Sequence, residues 1–246
     1  MAILAVSRLS KAYGGVQALR EVSFALEAGE RVAMIGPNGA GKTTCFNVLN
    51  GQVAPDAGDV RLEGESLLGQ KPFAIWRRGV ARTFQVAATF GSMSVRENVQ
   101  MTLLSRAGML NAPLKQAKAF FAAQADALLS RVGMQDQAAR PCAVLAYGDL
   151  KRVELAMALA SRPKLLLMDE PTAGMAPKER GALMELASRL AQDDRVAVLF
   201  TEHDMNAVFG FASRVLVLHG GAVVADGPPA EVRADRFVRE IYLGET

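Results

Sequence analysis

Residues 36–44 read GPNGAGKTT and carry the residue types that are needed to bind phosphate. Glycine allows backbone conformations that other residues resist, so several N–H groups can point at one anion. Lys42 can reach the β- and γ-phosphates of a nucleotide, and the Thr43 hydroxyl can ligate the accompanying Mg²⁺. The spacing matches the P-loop pattern G-x-x-x-x-G-K-[ST]. The residues predicted to bind the nucleotide are Gly36, Pro37, Asn38, Gly39, Ala40, Gly41, Lys42, Thr43 and Thr44.

The carboxylate pair Asp169-Glu170 is the second group of residues that could do chemistry. Both carboxylates directly follow an apolar run, which places them at the exit of a predicted buried strand. Asp169 at that exit can hold the Mg²⁺ shell, and Glu170 can accept a proton from a water aimed at the γ-phosphate. A helix-capping acidic pair is the alternative interpretation, which the presence of the P-loop disfavours.

Five short, nearly continuous apolar runs are predicted to position these groups. They are Arg31–Ile35, Val80–Phe84, Leu165–Met168, Val196–Phe200 and Val215–Leu218. Such runs, separated by helix-like segments, are typical of a parallel sheet that is buried on both faces. Ligands bind at the carboxyl ends of the strands in sheets of this kind. The residues that come directly after these runs are therefore expected at one edge of the sheet: Gly36 with the P-loop, Gln85, the pair Asp169-Glu170 and the segment Thr201-Glu202-His203.

A second, smaller sheet is predicted beside the P-loop. Apolar and polar residues alternate, or nearly so, over Leu4–Leu9, Val22–Leu26 and Val60–Glu63, as in antiparallel strands covered on one face. Tyr13, just ahead of a glycine pair, could present its ring for an adenine to stack on. Taken alone, a tyrosine in this position is more often an ordinary packing residue, so this assignment depends on the rest of the chain.

The middle of the chain is helical in pattern. Apolar residues recur at three- and four-residue spacing over Val95–Ser105 and Lys115–Val132. A hairpin-like piece at Val223–Asp226 and a closing helical segment over Ala230–Leu243 follow the last predicted core strand. We therefore predict an α/β protein: a P-loop NTPase core with a mainly parallel sheet, a flanking antiparallel β subdomain and an inserted helical subdomain. The expected single domain has a core lobe at 1–85 and 151–246 and a helical lobe at 86–150.

Composition argues against several functional classes. The net charge of +3 is small and no run of Lys or Arg forms a stripe, so we expect no nucleic-acid partner. The first residues are too short an apolar stretch for a signal peptide, and no apolar stretch is long enough to span a bilayer. Any membrane role would therefore act through a partner. Cys45 and Cys142 share no metal-binding or redox spacing, which predicts two reduced thiols.

The sequence LAYGD at residues 145–149, which opens an apolar helical run, resembles the signature motif of ATP-binding cassette (ABC) proteins. The resemblance covers essentially the whole chain, with the family's motifs in the family's order. It implies that Tyr13 stacks on adenine, that the P-loop binds ATP, that Gln85 is the Q-loop glutamine and that His203 is the switch histidine.

The same resemblance implies that one chain supplies only half of each ATP site. Two cassette subunits would enclose two ATP molecules, each held by one chain's P-loop and by the other chain's signature residues Ala146, Tyr147, Gly148 and Asp149. Binding of ATP would close the dimer, and hydrolysis would release it. The resemblance assigns catalysis to Glu170, His203 and Gln85, and Mg²⁺ binding to Thr43, Gln85 and Asp169.

Further features resemble the ATP-binding subunits of branched-chain amino acid importers. They are RTFQ at 82–85, the Ala-Tyr-Gly form of the signature, TEHDM at 201–205 and YLGE at 242–245. The resemblance implies an ATPase that powers uptake of branched-chain or other hydrophobic amino acids from the cytoplasmic face of the inner membrane. Its expected partners are permease subunits docked against the segment from Val86 to about Met109, a sister or identical ATP-binding subunit and, indirectly, a solute-binding protein.

Several alternatives stay open at this point. Importers of urea, short amides or aromatic acids use similar subunits, and a lipid or lipopolysaccharide exporter subunit is the nearest competitor. A GTPase would need an N-K-x-D segment, which the sequence lacks. A small-molecule kinase would not need the signature residues or His203. Cassette proteins that act on DNA or ribosomes usually carry two cassettes or a long coiled-coil insertion.

Two positions depart from the family pattern. Ala146 stands where most cassettes have Ser, so backbone N–H groups of Tyr147 and Gly148 are expected to supply the missing contact to the γ-phosphate. Ala176 replaces the usual Asp of the D-loop, residues 173–176. The second departure leaves open how the D-loop connects the two ATP sites.

Overall fold

The computed structural model describes residues 2–83, 88–109 and 120–240. The chain forms a six-stranded sheet and a four-stranded sheet, with helices packed around them. This is the α/β architecture that the apolar runs predict: a mainly parallel sheet flanked by an antiparallel one.

The six-stranded core sheet has the strand order β10-β9-β3-β8-β7-β6. Its strands are β3 (Arg31–Ile35), β6 (Val80–Thr83), β7 (Leu165–Asp169), β8 (Ala197–Thr201), β9 (Arg214–His219) and β10 (Ala222–Gly227). All neighbouring strands are parallel except β9 and β10, which form a hairpin. Both faces of the sheet are buried. In β3, Ala33 and Ile35 belong to one apolar cluster, whereas Val32 and Met34 belong to the other.

The four-stranded sheet is antiparallel, with the order β2-β1-β4-β5. Its strands are β1 (Leu4–Tyr13), β2 (Val16–Leu26), β4 (Ala57–Leu62) and β5 (Glu65–Ser66). The first two strands are longer than the alternating pattern predicts, because the hairpin continues until Tyr13 pairs with Val16 across a two-glycine turn. The tip of this hairpin therefore extends past the sheet.

Nine α-helices are assigned in the described ranges. They are α1 (Lys42–Leu49), α2 (Pro72–Arg78), α3 (Val95–Ala107), α4 (Ala122–Arg131), α5 (Tyr147–Ala160), α6 (Pro177–Asp193), α7 (Met205–Phe211), α8 (Pro229–Ala234) and α9 (Arg236–Val238). Helices α3, α4 and α5 pack against one another. The predicted lobe boundary at residue 150 falls inside α5, and the division into a core lobe and a helical lobe stays a prediction.

Two helical segments differ from the predicted bounds. Helix α4 begins at Ala122, and residues 110–119, which include the start of the predicted segment, lie outside the described ranges. The predicted closing helix is divided into α8 and α9 because Asp235 has extended backbone angles, φ −62° and ψ 125°. The Asp235 carboxylate then accepts a hydrogen bond from the N–H of Val238 at 3.0 Å, which caps α9.

The helical insertion shares its core with the central sheet. Val95 and Val99 of α3 and Leu129 of α4 are fully buried in the same apolar cluster as Ile35 of β3. A capping box formed by Ser94 and Glu97 starts α3. None of the helices in the described part of the chain is both long and apolar enough to cross a membrane.

Candidate nucleotide site

A cleft of about 290 Å³ lies where the loop after β3 meets the residues that follow β7 and β8. Its lining residues are Ala18, Asn38, Gly39, Ala40, Gly41, Lys42, Thr43, Thr44, Glu170 and His203. The structure thus brings most of the predicted phosphate loop together with two of the predicted catalytic residues. Gly36 and Pro37 lie behind the cleft, where their carbonyl oxygens accept hydrogen bonds from Lys42.

Two loop glycines are required by close packing. A Cβ atom at Gly36 would lie 2.2 Å from the carbonyl oxygen of Leu218, and one at Gly41 would lie 2.3 Å from that of Ala18. Gly41 also has a φ of +106°, in the left-handed region that side chains resist. The loop is therefore held between the end of β9 and strand β2. Gly39, with φ +80°, has no atom near its Cβ position and faces open space.

Lys42 is the first residue of α1, and its side chain contacts the backbone of the phosphate loop. Its ammonium nitrogen donates to the carbonyl oxygens of Gly36 at 2.5 Å and Pro37 at 3.1 Å. Burial lowers the pKa of Lys42, while the nearby carboxylates of Glu170 and Asp169 partly oppose that shift. A bound phosphate would add negative charge at this point and so favour the protonated amine.

Asp169, at the end of β7, is held by donors on both carboxylate oxygens. The Arg82 guanidinium donates to Oδ2 at 2.8 Å, and the Thr201 hydroxyl donates to Oδ1 at 2.9 Å. Arg82 also donates to Asn47 Oδ1 at 2.7 Å, which ties the carboxylate to helix α1 behind the P-loop. Because the side chains of Arg82 and Asp169 are only 9% and 17% exposed, this ion pair is largely shielded from water.

Glu170 adopts a conformation that is rare for a residue with a side chain, with φ +45°. Its N–H donates to the hydroxyl of Thr201 at 3.0 Å and to the carbonyl oxygen of Thr201 at 3.2 Å. Its carboxylate lies 2.9 Å from His203 Nε2. An ionised carboxylate can only accept, so Nε2 carries the proton in this pair.

The segment that carries His203 is anchored beside Glu170 by a buried carboxylate. Glu202 accepts hydrogen bonds from the N–H of Thr172 at 2.9 Å and from its hydroxyl at 2.6 Å. Its other oxygen accepts from the N–H of His203 at 3.1 Å. Glu202 therefore connects the backbone of His203 to Thr172 in the loop that follows Glu170.

Thr43, which lines the cleft, and Asp169, which directly precedes the cleft residue Glu170, are of the types that fit a Mg²⁺ ion bound together with a nucleotide. Thr43 and Asp169 offer oxygen ligands, which Mg²⁺ prefers. Among the described residues, no three His, Cys, Asp or Glu side chains gather at one point. Mg²⁺ usually takes only one or two protein ligands and fills its shell with phosphate oxygens and water, so two such residues suffice.

Tyr13 and Gln85 stand apart from this arrangement. Tyr13 lies at the tip of the β1–β2 hairpin, 47% exposed, with the Lys11 ammonium 5.5 Å from its ring centroid. It does not line the cleft, although Ala18 of the same hairpin does. Gln85 lies outside the described residues, so its predicted position is not tested.

The signature residues do not line the cleft of their own chain. Ala146 is exposed and is the N-cap of α5, and its methyl group provides no side-chain cap for the first turn, which contains Tyr147 and Gly148. The position of a Cβ on Gly148 is 3.4 Å from side-chain atoms of Met175 and Glu179. The signature and the D-loop of one chain are therefore neighbours.

Sequence reasoning gave no role in the site to three residues that shape it, Ala18, Arg82 and Thr201, although it expected Thr201 at the same edge of the sheet. Two of them left a signal. Arg82 and Thr201 are polar residues at the ends of apolar strands, and a polar side chain in such a place needs a buried partner. Ala18 left no signal, because it acts through its backbone carbonyl.

Comparison with known proteins points to one family. The model of a family described as ABC transporter matches residues 19–173, and that of the branched-chain amino acid ATP-binding cassette transporter matches residues 222–246. The chain is 39% identical to the high-affinity branched-chain amino acid transport ATP-binding protein BraF of Pseudomonas aeruginosa, over 99% of this chain and 98% of the relative. It is 40% identical to LivG of Salmonella typhimurium, which carries the same descriptive name, over 99% and 98%.

Solved structures agree with this result. An ATP-binding cassette of an ABC transporter, MJ1267 in its ADP conformation, superposes with a TM-score of 0.86. The two sequences are 28% identical, and the superposition covers 100% of both chains. The P-loop NTPase core that the sequence predicts is thereby confirmed.

The packing around Gly41 gives a stability prediction. Gly41→Ala should lower the free energy of unfolding by more than about 3 kcal/mol, because the methyl group meets a backbone carbonyl and φ is positive. Gly39→Ala, with a positive φ but no clash, should cost about 1–2 kcal/mol. Urea denaturation without nucleotide measures both values, and equal losses would show that the close contact with Ala18 is unimportant.

The shielded ion pair gives a second prediction. Arg82→Met should lower the free energy of unfolding by about 3 kcal/mol, because it leaves the Asp169 carboxylate without its cation. The matched control is Arg61→Met, which breaks an exposed pair with Asp59 and should cost about 1 kcal/mol or less. Adding Asp169→Asn to Arg82→Met should recover part of the loss in urea denaturation. Additive losses in the double variant would contradict the pairing.

Proposed function

The chain belongs to the ABC transporter family, and from this premise we propose that it hydrolyses ATP to power the import of branched-chain or other hydrophobic amino acids through partner membrane subunits. The observation that carries the ATPase assignment is the convergence of Lys42, Glu170 and His203 on one cleft. The amino-acid assignment is supported by the near full-length similarity to high-affinity branched-chain amino acid transport subunits.

Residues 36–44 would hold the triphosphate. Their backbone N–H groups and the positive end of α1 favour an anion at the cleft. Lys42 would exchange its two carbonyl acceptors for phosphate oxygens. Thr43 and Asp169, with Gln85, would hold a Mg²⁺ ion, which when bound offsets the negative charge of the phosphates.

Hydrolysis would begin with a water aimed at the γ-phosphorus. Glu170 would accept a proton from this water while the oxygen of the water bonds to the γ-phosphorus. The bond between the γ-phosphorus and the β-γ bridging oxygen would then break, which leaves ADP and inorganic phosphate. His203, which already donates to Glu170, would share its Nε2–H between that carboxylate and the γ-phosphate. Gln85 would join these two residues at the reacting end of the nucleotide.

A second ATP-binding subunit would complete each site. The cleft of one chain contains no signature residue, while Ala146 to Asp149 form the N-cap and first turn of α5, with Ala146 exposed, Tyr147 and Asp149 partly exposed and Gly148 buried. The N–H groups of Tyr147 and Gly148 in that first turn could contact the γ-phosphate held by a partner chain. This arrangement supports two chains that enclose two ATP molecules, with Tyr13 stacking on adenine. The partner would be a sister chain or a second copy.

A groove of about 270 Å³ supports the docking of a permease subunit. Its walls come from α2 and β6 on one side and from α3 and α5 on the other, and it includes Trp76, Arg82, Thr102, Glu154 and Met157. The segment predicted to meet the permease, from Val86 to about Met109, borders the groove through Ala88 and Thr102. We place the subunit peripherally on the cytoplasmic face of the inner membrane, served indirectly by a solute-binding protein and with no nucleic-acid partner.

Loss of the general base gives the sharpest test of the hydrolytic mechanism. Glu170→Gln should lower ATP turnover by at least about 100-fold, because an amide cannot accept the proton. ATP affinity should change little, and the variant should accumulate as an ATP-bound dimer in size-exclusion chromatography. Glu185→Gln, at an exposed position of α6, is the matched control and should turn over normally. Normal turnover in Glu170→Gln would remove Glu170 from this role.

The transport proposal is tested with the purified complex reconstituted in vesicles. Leucine, isoleucine and valine, delivered with the solute-binding protein, should stimulate ATP hydrolysis, whereas urea, short amides and aromatic acids should not. Thr102→Arg, which places a long charged side chain in the groove, should abolish this stimulation without lowering the basal ATPase rate of the isolated chain. The control Ser130→Arg, at an exposed helix position outside the groove, should keep it. Stimulation by a lipid and by no amino acid would favour an exporter.

A further inference from the structure

One buried hydroxyl joins the two neighbouring carboxylate residues of the site. Thr201 is 1% exposed and ends β8, directly across from Asp169 in the parallel pairing of β7 and β8. Its Oγ1 donates to Asp169 Oδ1 at 2.9 Å and accepts from the N–H of Glu170 at 3.0 Å. A single atom therefore contacts both the residue expected to hold the metal and the residue expected to act as base.

The direction of the hydroxyl proton is set by its partners. An ionised carboxylate only accepts and a backbone N–H only donates, so Oγ1 must donate to Asp169 and accept from Glu170. Serine could make both contacts. Valine, which has nearly the same shape as threonine, could make neither, although the N–H of Glu170 would keep the carbonyl oxygen of Thr201 at 3.2 Å.

The contact to Glu170 matters because the backbone of that residue is in an unfavourable region, with φ +45°. Such a conformation persists only where surrounding contacts hold it. It turns the chain directly after Asp169, so that the Glu170 side chain lines the cleft and meets His203. Loosening the hydrogen bond to the Glu170 N–H would let the carboxylate move relative to the phosphate loop.

The contact to Asp169 fixes the second carboxylate. Arg82 holds Oδ2 and Thr201 holds Oδ1, so the plane of the carboxylate is set from both sides. Each carboxylate oxygen has a further lone pair that can face a metal ion or a metal-bound water. Without Thr201 the group would be free to rotate about Arg82.

We propose that Thr201 is a positioning residue for ATP hydrolysis, whose hydroxyl holds Asp169 and Glu170 in a fixed mutual orientation. The proposal rests on the role of Glu170 as base given above. Threonine contacts neither nucleotide nor water in this scheme and acts only through its two neighbours. This role also explains why a polar residue ends the otherwise apolar strand Ala197–Thr201.

The test compares Thr201→Val with Thr201→Ser in the assembled transporter and in the purified chain. Thr201→Val should lower kcat about 10- to 100-fold, the range expected when a general base is displaced by a fraction of an ångström to about 1 Å. KM for ATP should stay within about twofold, and Thr201→Ser should keep kcat within about threefold, as expected for a loss of base alignment alone. Binding of a fluorescent ATP analogue is measured in parallel, with Mg²⁺ and with EDTA.

Binding of the ATP analogue shows whether Thr201→Val loses activity because the carboxylates are misplaced or because the site as a whole is damaged. Thr201→Val should bind the analogue normally in EDTA and at saturating Mg²⁺, the condition in which KM is measured. It should need a higher Mg²⁺ concentration to reach that affinity, because Asp169 is less well held. Weak binding in EDTA, or equal losses of kcat in the valine and serine variants, would overturn the proposal in favour of a packing role. Unchanged kcat and unchanged Mg²⁺ dependence in Thr201→Val would overturn it as well.

The double variant Thr201→Val, Glu170→Gln tests the role of Thr201 separately from the role of Glu170. If Thr201 acts through the base, the double variant should turn over about as slowly as Glu170→Gln alone. If the fold losses of turnover in the two single variants multiply in the double variant, Thr201 does not act through Glu170. Normal turnover of Glu170→Gln by itself would refute the assignment of the base, whereas a slow Glu170→Gln with a fast Thr201→Val would refute only the role of Thr201.

Discussion

The structure must place two adjacent carboxylates next to the binding site of a triphosphate without repelling it. Each carboxylate is therefore met by its own donors before any nucleotide arrives. Asp169 pairs with Arg82 and accepts from Thr201, and Glu170 lies against the Nε2 proton of His203. Arg82 therefore offsets the charge of Asp169, and the ammonium of Lys42 lies within reach of the charges of both carboxylates.

The order of strands in the core sheet makes these contacts possible. Strands β3, β8, β7 and β6 are neighbours and parallel, so their carboxyl ends meet at one edge of the sheet. Lys42, Glu170 and His203 follow three of these strands, and Arg82 lies near the end of the fourth. The antiparallel sheet adds the β1–β2 hairpin, whose backbone at Ala18 presses on Gly41 from the other side. Close backbone packing on both sides explains why the loop tolerates no side chain at two of its glycines.

The same arrangement separates the signature residues of a chain from its own cleft. Most of the phosphate loop and the Glu170 carboxylate line the cleft, whereas Ala146, the exposed N-cap of α5, does not. Arg180 of α6 donates to the D-loop carbonyl of Met175 at 2.7 Å and to Asp204 at 3.0 Å, beside the switch histidine. These bonds connect the D-loop to the His203 segment within one chain, although Ala176 lacks the usual carboxylate.

The sequence by itself determined the phosphate loop, the carboxylate pair and the strands that carry them. Each of these is a local pattern: a motif of contiguous residues or an apolar run of a few residues, whose meaning does not depend on distant parts of the chain. The family resemblance also rests on short local motifs, which occur along this chain in the same order as in the family. Helix bounds near Asp235 were less predictable, since a cap formed by one side chain outweighed a continuous apolar pattern.

Only the tertiary structure decided which side chains hold the two carboxylates. Arg82 and Asp169 are 87 residues apart, and Thr201 and Asp169 are 32 apart. Their contacts exist because β6 and β8 both pair with β7, and the order of strands follows from how helices pack on the whole sheet. The spacing of residues along the chain does not determine the order of the strands in the sheet. Long-range hydrogen bonds and the backbone contact of Ala18 can therefore be identified only in the folded protein.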